Sequence, residues 1–145
     1  MLRPVTMAYT AQHPAITEAL VDLHARARRN GEALPDVTVR VGKPSEFPEH
    51  RAHAYCERGA LGTGRGKLTI VYAPKLAESK QRRILGVLAH EFGHAQLLAC
   101  GIENHTERDA DRVAEALFGK DIAYDGAEVQ SFGPGVRPRP GALPR

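Results

Sequence analysis

His90-Glu91-Phe92-Gly93-His94 carries the pattern H-E-x-x-H, and Glu107 and Asp111 follow it downstream. On a helix, histidines at i and i+4 lie one above the other on the same face, so both imidazoles can reach one metal ion. Glu91 is offset from His90 by about 100°, which sets it beside such an ion rather than on it. A carboxylate in that place is a general base. Zinc lowers the pKa of its bound water towards ~7, and the base takes the proton as the hydroxide attacks a polarised carbonyl carbon. The reaction implied is peptide-bond hydrolysis.

So short a pattern recurs in unrelated helices, and its surroundings give it weight. Gln81 to Gly101 reads as one long helix in which Leu85, Leu88, Phe92, Ala95 and Ala99 form an apolar stripe, with Ile84, Val87 and Leu98 beside it. Such a helix is buried on most sides. Two histidines and a glutamate inside it are costly to desolvate, and a bound cation compensates them directly.

A catalytic zinc needs a third protein ligand and an open position for water. Glu103, His105, Glu107, Asp109 and Asp111 are the near candidates. Gly101 is expected to end the first helix, and Thr106 with Asp109 forms a capping box that opens a second, running to about Phe118 with Gly119 as its stop. Ala110, Val113, Ala114 and Leu117 make the apolar stripe of that helix, and Glu107 is the acidic residue nearest to it, with Asp111 next. Glu107 is therefore the expected third ligand. Asp111, one turn on, suits the acceptance of the outer N–H of a ligand histidine. His105 is the rival, either as a ligand in a His-His-His set or as a group that stabilises an oxyanion.

The pair of motifs His90-Glu91-Phe92-Gly93-His94 and Glu107-Arg108-Asp109-Ala110-Asp111 resembles that of the gluzincins, in which H-E-x-x-H on one helix is joined by a glutamate on a following helix in an E-x-x-A-D sequence. Two helices and a preceding strand, about a third of the chain, are similar in arrangement to the minimal single-domain minigluzincins. The resemblance implies Zn2+ held by His90, His94 and Glu107, water activated by Glu91, and a ligand histidine oriented by Asp111. It also implies that the strand Leu68 to Tyr72 is a sheet edge beside the cleft, where an extended protein or peptide substrate adds along Ile70, Val71 and Tyr72. Larger gluzincins carry a further domain whose histidine or tyrosine stabilises the transition state, and a chain of this length has no room for it.

The elements around the motif read as α+β. Ala15 to Asn30 has helical spacing and is expected to be a scaffold helix, stopped at Asn30-Gly31. Val37 to Val41 alternates and is β-branched, Arg51 to Glu57 is a second strand, and Leu68 to Tyr72 is a third, closed by Pro74. Asp121 to Tyr124 adds a short last strand. The expected fold is a small, mostly antiparallel sheet of three to four strands packed against the scaffold helix, the active-site helix and the glutamate helix. Gly62-Thr63-Gly64-Arg65-Gly66-Lys67 is not a phosphate loop, because Leu61 stands where that motif needs Gly, Leu68 where it needs Ser or Thr, and a strand follows. It reads as a hairpin turn.

The chain has 145 residues, 42% of them hydrophobic, enough for one core, so residues 1–131 are read as one metallopeptidase-like domain. Residues 132–145 form a Pro/Gly/Arg-rich tail with little capacity to fold, extended enough to dock on its own domain or on a partner. The net charge of +3 is dispersed, with Lys80, Arg82 and Arg83 the tightest basic group, which argues against nucleic acid as the main partner. No apolar run reaches the ~18 residues of a bilayer span, and Met1 to Thr10 lacks a secretory pattern. A cytoplasmic protein with Cys56 and Cys100 reduced and buried is the expectation. The chemistry expected is zinc-dependent proteolysis of a narrow range of protein substrates. The alternative is a metal-stabilised regulatory or binding module with little turnover, in contact with a protein or nucleic acid.

Overall fold

Pro14 at the first helical position and His13 as N-cap, its Nδ1 accepting from the Ala15 N–H at 3.1 Å, start helix α1 (Pro14–Arg29). Ile16, Ala19, Leu20, Leu23 and Ala27 recur at helical spacing and are buried, and Gly31, at φ +73°, takes the chain out after the Asn30 cap. These features come from a computed structural model that describes residues 13–47, 54–58 and 67–120. The proposed tail, the strand at Asp121 to Tyr124, the start of the second strand at 51–53 and the glycine turn at 59–66 lie outside the described residues.

Three strands follow: β1 (Val37–Val41), β2 (Ala54–Arg58) and β3 (Leu68–Tyr72). The sheet order is β1-β3-β2. β2 and β3 run antiparallel, with Cys56 opposite Ile70, as a hairpin requires, whereas β1 lies parallel to β3, with Val39 opposite Ile70. The architecture is α+β with three strands among the described residues, and the sheet is mixed where a mostly antiparallel one was expected. Alternation along a strand fixes which side chains face the core, but it does not say which strand lies alongside.

β3 also departs from its expected place at the sheet edge. All five of its residues are paired on both sides, and Ile70, Val71 and Tyr72 are buried. A strand can accept another only along an unpaired row of N–H and C=O groups, so β-augmentation of a substrate onto Ile70, Val71 and Tyr72 is ruled out. The position of Leu68 to Tyr72 in the middle of the sheet accounts for the burial of all its residues but the half-buried Thr69.

Helix α2 (Gln81–Ala99) rests on β2 and β3 and is covered by α1 and by helix α3 (Glu107–Phe118). Twelve of its 19 residues are buried, so α2 is the centre of the core rather than a surface helix. Its apolar side is centred on Ile84, Leu88, Phe92 and Ala95, while Leu85 is half-buried and Ala99 exposed. Phe92 meets Phe118 of α3 and His24 of α1 edge-on, at centroid distances of 5.9 and 6.0 Å. Burial, with the nearby Arg28 charge, lowers the His24 pKa to about 4, so this ring packs as a neutral aromatic. The Asn30 side-chain amide donates to the Leu117 carbonyl at 3.0 Å and fastens the end of α1 to the end of α3. No helix among the described residues is long and apolar enough to cross a membrane. Cys56 is buried, whereas Cys100, at the end of α2, is exposed.

Candidate metal centre

The geometry of the site starts with how α2 stops. Gly101, at φ +83°, reverses the chain, its N–H donating to Leu98 O and the Ile102 N–H to Leu97 O, the paired bonds of a Schellman motif. The chain then turns straight into α3. There the Thr106 hydroxyl accepts from the Asp109 N–H at 3.1 Å and the Asp109 carboxylate accepts from the Thr106 N–H at 3.0 Å, the reciprocal cap read from the sequence. Glu107 becomes the first residue of α3, and Asp111 lies one turn further along.

Gly93 sets how closely the two helices approach. A Cβ at this position would stand 2.1 Å from the Ala110 carbonyl oxygen, so only a glycine lets α3 lie backbone to backbone on α2. Sequence reasoning missed this role. Its signal was present, since a glycine inside a helix costs about 1 kcal/mol against alanine and has a packing reason when it persists in a buried segment.

With the helices this close, His90 Nε2 lies 2.7 Å and His94 Nε2 3.1 Å from the same oxygen, Glu107 Oε1. The two rings are nearly perpendicular, with centroids 4.7 Å apart. One ligand atom from each of His90, His94 and Glu107 falls within 4.8 Å of the others, a group that could hold a metal ion. Both histidines are 1% exposed, and the Glu107 side chain at 24% gives the cluster its opening to solvent. Behind the cluster, His90 Nδ1 is 2.7 Å from Asp111 Oδ1.

His105 stands elsewhere than expected. Its Nε2 lies 2.8 Å from His94 Nδ1 and its Nδ1 2.9 Å from the Ile102 carbonyl oxygen, on the far side of His94 from Glu107. It is outside the ligand group, and with both ring nitrogens engaged it has none for an oxyanion. Helical angles could not reveal this, because His105 sits in the connector between the helices.

The charges fit a cation. Burial favours a neutral His90, but its hydrogen bonds to Asp111 and Glu107 and the Glu91 charge outweigh it and raise its pKa to about 10. Burial lowers His94 to about 4 against the pull of Glu107, with the His90 charge adding to the effect. Glu107 is drawn far below the carboxylate range because the bonds from the two histidines overcome its partial burial. Glu91 is 2% exposed, and burial pushes its pKa up to about 8, with the Glu107 and Asp111 charges adding to it and His90 opposing. Its Oε1 is buried without a hydrogen-bond partner among the described residues. A His-His-carboxylate set with a buried, unsatisfied glutamate oxygen beside it suits a divalent ion and a bound water. Comparison with family models, with curated proteins and with solved structures finds no match to this chain.

Proposed function

We propose that the chain is a zinc-dependent peptidase whose metal is held by His90, His94 and Glu107. The observation that carries this reading is the convergence of two buried imidazole nitrogens on one carboxylate oxygen, with Glu91 beside His90 in the chain and its buried Oε1 without a hydrogen-bond partner among the described residues. The nitrogen and oxygen donors suit zinc. Zinc, when bound, polarises a peptide carbonyl and makes water acidic enough to be deprotonated near neutral pH.

The protein's own groups do the rest. Asp111 holds His90 by its outer nitrogen and so aims Nε2 at the metal position. Glu91, in its dry setting, is a stronger base than an exposed carboxylate once ionised, and it takes the proton from water and passes it to the leaving amine. The Glu107 side chain, 24% exposed, is the solvent-facing member of the group, and we propose that an extended protein or peptide substrate approaches from that side.

The test is Glu91→Gln. Hydrolysis of a panel of denatured proteins should fall by roughly 10²–10⁴-fold, while zinc stays bound near one per chain. Equal cleavage by parent and variant would overturn the reading. A second reading, a metal-stabilised binding or regulatory module with slow turnover, is favoured by one observation: both His105 nitrogens are taken, which removes the expected oxyanion donor. Stoichiometric zinc with no cleavage of any panel member by the parent would favour that reading or a peptidase of narrow substrate range.

A further inference from the structure

The contacts of His105 have a direction. A backbone carbonyl can only accept, so the 2.9 Å contact between His105 Nδ1 and Ile102 O requires the proton on Nδ1. A neutral His105 then presents a bare lone pair at Nε2. That lone pair faces His94 Nδ1 at 2.8 Å, and His94 must supply the proton between them. A neutral His94 that carries its proton on Nδ1 has its own lone pair on Nε2, the nitrogen aimed at Glu107.

We infer that His105 is a positioning residue: it fixes His94 in the tautomer whose Nε2 lone pair points at the metal position, through a chain of donors anchored on the Ile102 carbonyl. This rests on the metal reading above and adds to it a neutral support for the second histidine, where the first has the Asp111 carboxylate. The anchor is firm. Ile102 belongs to the stop of α2, with its N–H held by Leu97 O, so the carbonyl that sets the direction is fixed by the same turn that brings α3 back. His94 and His105 are 1% and 3% exposed, and the cost of an unmatched buried N–H or lone pair enforces the order of the chain.

Counting protons shows what the direction achieves. Five contacts join the three imidazoles to Asp111, Glu107, one another and Ile102. With a metal held there, all three imidazoles are neutral and bring three protons, which fall on the contacts with Asp111, with His105 and with Ile102. The two contacts left without a proton both end on Glu107 Oε1. A divalent cation held by His90, His94 and Glu107 would supply positive charge in place of those two protons.

The experiment uses the full chain. Histidine ring nitrogen resonances, recorded metal-free and with zinc, should show His105 protonated at Nδ1 and bare at Nε2 in both forms, with a 15N–15N coupling across the hydrogen bond to His94. Zinc affinity, measured by chelator competition, should fall about 10–100-fold in His105→Leu, which removes the acceptor. His105→Gln, whose Oε1 can accept from His94, should restore most of it. If the leucine variant does not fold, His105→Asn, with an amide too short to reach His94, takes its place. Equal weakening by the acceptor-free and acceptor-bearing variants would assign the effect to ring packing and overturn the inference, as would a proton found on His105 Nε2. A parent chain that binds no zinc would instead remove the metal reading, while the tautomer assignment would still decide the relay.

Discussion

Two sides of α2 are equally buried and opposite in chemistry. On its apolar side, Ile84, Leu88, Phe92 and Ala95 exclude water by apolar contact. Towards α3, His90 and His94 do so with 1% exposure each, and their polar atoms must be matched one by one. Apolar contact is non-directional, so the first side needs only the right volume. Hydrogen bonds are directional, so the second side depends on the distance and rotation of α3 to within tenths of an ångström. One helix therefore carries both the bulk of the stability and the most exacting alignment in the chain.

Phe92→Ala tests the volume side and should have the largest effect on stability, a loss of about 3–5 kcal/mol in denaturant unfolding. The folded fraction should keep its zinc affinity, because the Phe92 ring points towards Phe118 and His24 rather than into the cluster. A parallel loss of zinc affinity would break the division between the two sides.

Gly93→Ala tests alignment. By helix propensity alone alanine would stabilise α2 by about 1 kcal/mol, so the sign of the change is decisive. The clash with the Ala110 carbonyl should reverse it, costing about 1–3 kcal/mol. Displacing Glu107 should also weaken zinc binding, on the order of tenfold or more, in the same chelator competition. A stabilised variant with intact affinity would show that α3 has slack.

The smallest effect concerns pH. Between its ordinary pKa of 4.5 and the buried value of about 8, Glu91 is protonated in the folded metal-free chain and ionised in the unfolded one. The folded state binds the extra proton there, so stability falls as pH rises through this window. His90, raised from 6.5 to about 10, adds a fall of the same sign at higher pH. Metal-free Glu91→Gln should therefore melt a few degrees above the parent at pH 8, and the gap should close towards pH 4.5. A gap that widened on acidification would mean that Glu91 is charged in the metal-free fold.

What the sequence made legible follows the same division. Helical angles are local, so the Thr106–Asp109 cap, the stop at Gly101 and the nearness of Glu107 and Asp111 to the histidine pair could be read from spacing. The extents of β1 and β3 were equally readable from their β-branched runs. The place of β3 between its neighbours was not, because pairing is set by distant residues. His105 was singled out as chemically active but misplaced, since an irregular connector offers no period from which to compute a direction. Gly93 was passed over because its meaning lies in the backbone of another helix.

The Asn30 amide bond to Leu117 spans 87 residues of chain, whereas His90 and Glu107 are 17 apart. Loop-closure entropy grows as (3/2)RT ln n, so joining the ends of the longer span sacrifices about 1.5 kcal/mol more chain freedom than joining the shorter. The hairpin that gathers the candidate metal group is thus the less demanding of these two closures, and the tether between α1 and α3 takes more freedom from the chain as it folds.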